Sequence, residues 1–157
     1  MGQATTAACA TGAGTTDVLA KVEEIAALAG YKVLRHPGGG LQLGFDMGGG
    51  RSQVVFVVPV GRTGDGKEVV HFFSPCGTVK KGFFKGGARS IAEDLLRRNA
   101  TLLWGAFALT KAGEQEGIIV YAPAIVDTME VEEFRAHVNY LAIVADQYEK
   151  EQGKDTF

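Results

Sequence analysis

The sequence predicts an α+β domain in which an antiparallel sheet of about five strands is flanked by three helices, in the order α-β-β-β-α-β-β-α. Three observations point there. Apolar residues recur at steps of three and four in three separate windows, the spacing of amphipathic helices. Between the windows, short β-branched and aromatic runs follow one another across glycine-rich breaks, so the strands arrive as hairpins instead of alternating with helices as a doubly wound sheet requires. The chain has 157 residues, 46% of them hydrophobic and 22% charged. That length buries roughly 70% of the unfolded surface around one core, with no need of a metal or disulfide staple.

The first helix is expected over about Asp17 to Ala29, where Val18, Val22, Ile25 and Ala29 share a face, Thr16 and Asp17 suit an N-cap, and Gly30 suits the residue past the end. Strand-like runs follow at Leu41–Phe45, Gln53–Val60 and Glu68–Ser74, with Tyr31–Arg35 as an extra short member. Gly48-Gly49-Gly50 and Gly61-Arg62-Thr63-Gly64-Asp65-Gly66 are the turns between them. Ser90 and Glu93 form a capping box ahead of a short helix that ends near Arg98. Thr101–Thr110 and Gly117–Pro123 read as two more strands joined by Lys111-Ala112-Gly113-Glu114; Leu102 to Leu109 is apolar on both faces, which assigns the pair to the centre of the sheet. A second capping box, Asp127 and Glu130, precedes the longest helix, about Met129 to Lys150, with Phe134, Val138, Leu141, Ala145 and Tyr148 on one stripe. Residues 16–150 are therefore expected as one domain between a flexible tail, Met1–Thr15, and a frayed one, Glu151–Phe157.

Composition excludes several function classes. With 16 basic and 18 acidic side chains the formal net charge is −2, and a pI near 5.9 lacks the basic excess that marks nucleic-acid binders. Apolar runs such as Val54–Pro59 are far short of the ~20 residues that span a bilayer. Met1–Thr15 has neither the basic nor the apolar region of a secretory signal, and the cysteines, Cys9 and Cys76, make no disulfide framework; a reducing cytoplasm is the expected compartment.

No motif announces catalysis. Gly44 to Ser52 has the glycine density of a phosphate loop, but Arg51 stands where lysine is needed and a strand follows where a helix must open. His36, His71 and His137 fall on different elements: a loop, a sheet, and the wet face of the last helix. They offer no metal-ligand spacing, and no cofactor is expected. Ser74 and Cys76 lack the strained elbow of a nucleophile, and Glu130, Glu132 and Glu133 are accounted for by the dipole of the helix they open. Lys80-Lys81-Gly82-Phe83-Phe84-Lys85 mixes cations and aromatics, leaving three readings: Phe83 and Phe84 in the core, Phe83 and Phe84 docking a partner, or a single-stranded nucleic-acid contact. Trp104 reads as core.

The segment Leu95-Leu96-Arg97-Arg98-Asn99, followed by Gly105-Ala106-Phe107-Ala108-Leu109, Gly117-Ile118-Ile119-Val120-Tyr121, Met129 to Phe134 and Ala145-Asp146-Gln147-Tyr148, resembles the YbjN-like proteins, which are grouped by fold with type III secretion chaperones. The resemblance implies the same element order, a homodimer, and no catalytic residue or cofactor. In the chaperone branch an effector's unfolded segment wraps around apolar patches; in the YbjN branch the role is regulatory. The expectation is thus a non-enzymatic protein- or peptide-binding module, with Phe83 and Phe84 toward the partner and Ile91, Leu95 and Trp104 at the dimer interface. A small enzyme or nucleotide-binding domain, its site assembled only in three dimensions, is the alternative.

Overall fold

Strand alternation organises the molecule, because on each strand every second side chain turns toward the helices and the rest turn away. The computed structural model describes residues 13–79, 87–113 and 115–153. Its elements are α1 (Ala13–Leu28), β1 (Leu34–Arg35), β2 (Leu41–Gly48), β3 (Arg51–Arg62), β4 (Glu68–Val79), α2 (Gly87–Asn99), β5 (Ala106–Ala112), β6 (Gln115–Ile125) and α3 (Val131–Glu151), with a 3-10 turn at Val126–Thr128. The strands make one antiparallel sheet in the order β1-β2-β3-β4-β6-β5. The expected element order holds, with six strands in place of about five because β1 adds a two-residue edge.

Burial follows the alternation. Leu41 and Leu43 of β2, Val55 and Val57 of β3, Val70 and Phe72 of β4, and Val120 and Ala122 of β6 are sealed beneath the helices. From α1 come Val18, Val22 and Ala26; from α3, Phe134, Val138, Leu141 and Ala145, the stripe that the helical spacing selects. Phe134 meets both Phe72 and Tyr31 edge-on, with ring centroids 5.6 and 5.9 Å away. Edge-to-face pairing of this kind adds about 1 kcal/mol beyond burial.

Several boundaries differ from the sequence expectation. Helix α1 begins at Ala13, inside the stretch read as a tail, while residues 1–12 and 154–157 lie outside the described residues. Strand β5 starts only at Ala106, because Gly105 takes a φ of +77° and breaks the extended run. Strand β5 is the sheet edge, not its centre; β3 and β4 hold the middle. The outer side of β5 is instead met by Asn99, whose amide donates to the Phe107 carbonyl at 3.2 Å and accepts from the Phe107 N–H at 2.7 Å, replacing one peptide of a neighbouring strand. Neither capping box stands at its helix start: α2 opens at Gly87, and α3 opens after Glu130, which makes no side-chain cap. Asp127 serves another purpose, accepting from the Glu68 N–H and pairing with Lys21, both at 3.2 Å.

One end of α3 is fixed by buried polar groups. The three-glycine turn at Gly48, Gly49 and Gly50, all at positive φ, delivers Arg51 to α3. Arg51 Nε donates to Asp146 at 2.7 Å, and Lys150 Nζ lies 2.6 Å from the other oxygen. Gln53 Nε2 donates to Glu149 at 3.0 Å, and the Ser74 hydroxyl lies 3.0 Å from Gln53 Oε1. Burial pushes the Asp146 carboxyl up, but hydrogen bonds from Lys150 and Arg51 outweigh it and hold the group below its ordinary value of 3.8. Its contribution to stability is therefore present above that value and lost as pH falls through the lower folded-state pKa. Asp146→Asn is expected to cost about 1–3 kcal/mol at pH 7. The gap between variant and parent should close as pH drops below about 4, as urea unfolding at stepped pH will show.

Candidate partner-docking face

Residues that turn away from the helices are not the polar set that a one-sided antiparallel sheet normally shows to water. Register places Leu34, Gln42, Phe56, Phe73, Tyr121 and Ala106 in one row across all six strands. Val58, His71 and Pro123 form the next row toward the β3–β4 hairpin, then Val69 with Ile125. On the other side of the aromatic row stand Pro75, Ile119 and Ala108. None of these carries a formal charge at neutral pH. Phe56 and Phe73 stack at 5.2 Å with planes 23° apart, His36 meets Phe56 edge-on at 5.5 Å, and His71 lies 5.1 Å from Tyr121. Burial lowers the His71 pKa, which keeps its ring neutral at pH 7.

Among the described residues no helix covers this face; Phe56, Val58, His71, Phe73, Ile119 and Tyr121 stay half-buried and Leu34 and Pro123 are exposed, while Val57, Phe72 and Ala122, one residue away on the same strands, are closed off. At the β3–β4 hairpin end the face runs into an open hollow of about 310 Å³ lined by Val69, Pro123, Ala124, Ile125, Thr128 and Glu133. Contiguous apolar surface of this kind is what soluble domains reserve for docking. Its sequence signal was the unbroken apolar run in β3 and the matching one in β4, since a strand apolar at successive positions has two faces to cover.

The expected site residues are distributed differently. Phe83 and Phe84, with the lysines around them, lie outside the described residues. Leu95 is 3% exposed and turns into the core. Ile91 lines a hollow of about 50 Å³ against Cys76, Ile118 and Tyr148 of the same chain. Trp104 lies in the loop before β5, half-buried, 4.7 Å from Tyr140 and 5.9 Å from His137. His137 is thus not on a wet face: it packs between Trp104 and Phe72. The apolar side chains that stand clear near these residues are Leu96 at 69%, Leu103 at 73% and Ile143 at 57% exposed.

The polar cluster at Gln53, Ser74 and Glu149 is shut inside the protein and offers no substrate path. Burial, reinforced by the Glu149 charge, pushes the Cys76 thiol up to about 12, which leaves it protonated and inert as a nucleophile. Among the described residues no group of three His, Cys, Asp or Glu is placed to hold a metal ion.

Comparison with solved structures finds the same fold in the Yersinia pestis type III secretion chaperone SycH, crystallised in complex with a stable fragment of YscM2. The TM-score is 0.54 at 16% sequence identity, covering 83% of this chain and 98% of the chaperone. At that identity the likeness is one of fold. The chain matches no protein-family model and no curated protein.

The two faces should respond differently to truncation at adjacent positions. Phe72→Ala, on the helix side, is expected to cost about 3–5 kcal/mol through lost burial and a residual cavity. Phe73→Ala, half-buried on the open side, should cost less, about 1.5–2.5 kcal/mol, from roughly half of that burial together with its pairing with Phe56. Urea unfolding of the two variants measures both; equal losses would mean that the open face is sealed.

Proposed function

We propose that this chain is a non-enzymatic protein-binding domain, chaperone-like or regulatory in role, that docks a partner polypeptide on its open sheet face. The observation that carries the reading is the uncharged aromatic row Phe56, Phe73 and Tyr121 on a side of the sheet that no described helix covers. The shared fold with a chaperone crystallised on a protein fragment supports it. The YbjN-like resemblance of Leu95 to Tyr148 is consistent with either branch. In this reading Phe83 and Phe84 contribute to partner contact, and the chain acts in the cytoplasm.

The same reading makes the protein a homodimer through the α2 side. Leu96 on α2, Leu103 in the loop before β5 and Ile143 on α3 are exposed, and the buried indole N–H of Trp104 has no acceptor among the described residues. Leu95 acts from beneath by holding α2 against the core. An interface aromatic at the centre of a patch typically contributes about 2 kcal/mol or more.

The docking test is a comparison of captures from source-cell lysate by the parent and by Phe56→Ser with Phe73→Ser. Proteins bound by the parent should be lost from a variant that still melts cooperatively, at a temperature lower by no more than about 15 °C, the shift expected of about 3–4 kcal/mol spread over two half-buried rings. Retention of every partner by the variant would overturn the face as the docking site. For the dimer, light scattering should give about twice the 16.6 kDa chain mass, and Leu96→Glu with Leu103→Glu should return it to the monomer.

A further inference from the structure

Across the aromatic row, where Phe56, Phe73 and Tyr121 each have a strand partner on both sides, the open face presents side chains while the backbone N–H and C=O groups lie in the plane of the sheet and are used in pairing. A segment laid on it must satisfy its own backbone hydrogen bonds. An extended peptide cannot do so there and would seek a sheet edge; an α-helix can. Along β6 the apolar positions Ile119, Tyr121, Pro123 and Ile125 cover about 20 Å at ~3.4 Å per residue, the length of about 13 helical residues. Three or four strands at ~4.8 Å make the band about 15–20 Å wide, so it offers ~300–400 Å², against the ~800 Å² per partner of a standard protein interface. That area suits one helix and is small for a second copy of the domain.

At the end with the hollow, Glu68 is paired with Arg62, Asp65 with Lys67 at 3.4 Å, and Asp127 with Lys21 at 3.2 Å. Glu133, on the lip of the hollow, and Glu130 beside it have no cation among the described residues. The α3 dipole steadies both carboxylates but leaves them facing solvent, where each can meet a cation brought by an occupant. The Thr128 hydroxyl lines the same hollow. Resting on the docking reading above, we infer that the occupant of the open face is an amphipathic helix of about four turns whose apolar stripe covers Ile119, Phe73, Tyr121 and Pro123, and whose last turn sets a Lys or Arg against Glu133.

Two fluorescein-labelled, stapled amphipathic peptides of about 14 residues, one of Leu and Lys and one of Leu and Glu, test this against the full chain by fluorescence anisotropy. The Leu/Lys helix should bind about tenfold or more tightly than the Leu/Glu helix at low salt. Glu133→Gln should reduce that preference about threefold, the effect of one rim charge. Glu24→Gln, which removes an equal charge from the exposed side of α1, should leave the preference unchanged. Equal affinity for the two peptides, or equal loss from the two charge variants, would overturn the cationic-helix inference while leaving the docking face in place. Failure of both peptides to bind, or binding that survives Phe73→Ser with Tyr121→Ser, would overturn the docking face as well. Tyr121→Ser alone serves if the double variant does not fold, and unchanged binding to it would overturn the docking face equally.

Discussion

In a β-sheet, successive side chains must point to opposite faces, and this chain fills both sets of positions on its central strands with apolar groups. Helices α1 and α3 bury their stripes against one set only. The covered face supplies the stability of the fold, through Phe72, Phe134, Val57 and Val120 with their neighbours. The other face keeps Phe56, Phe73 and Tyr121 in partial contact with water, a state whose cost a partner would relieve. The covered and open faces thus draw on the same strands, and changes at adjacent residues can affect one and spare the other.

The placement of α3 decides which face is which. At its N-terminal half the seat is aromatic, with Phe134 edge-on to Phe72 and Tyr31. Toward its C-terminus the seat is ionic and amide, with Arg51 reaching Asp146, Gln53 reaching Glu149, and Ser74 donating to Gln53 from behind. Apolar contacts tolerate sliding by a fraction of a turn, whereas a carboxylate bonded to one guanidinium does not, so the polar end sets the axial position of the helix. The hairpin glycines at 48, 49 and 50 are what allow Arg51 to arrive there, since their positive φ values suit no ordinary side chain.

The sheet edges are handled separately from the open face. Strand β1 covers only the first part of β2, pairing with Leu41 and Gln42, and the amide of Asn99 covers the Phe107 peptide on β5. Each device leaves part of an edge exposed, where extended segments can add by strand pairing. An occupant of the open face would have to bring its own satisfied backbone groups. A shared fold with SycH at 16% identity carries the strand order, but the row of side chains that a partner would read is particular to this sequence.

Local patterning made most of the fold legible. The stripe Phe134, Val138, Leu141, Ala145 and Tyr148 specified α3 at its spacing, and the glycine breaks separated β2, β3 and β4, because periodicity and turn chemistry act within a few residues of the chain. The same logic misplaced β5. Leu102 to Leu109 is apolar throughout and reads as a central strand, yet Gly105 interrupts it, and the apolar character of Leu102 and Trp104 serves contact with the helix layer. Part of the open face lies in the apolar run of β3 that the sequence displays. Its alignment with β4 and β6 into one row, and the end at which Glu133 stands uncompensated, depend on strand register and on where α3 begins. Those are set by contacts between residues about 17 to 64 positions apart, from Phe56 with Phe73 to Val69 with Glu133, which no local window of sequence contains.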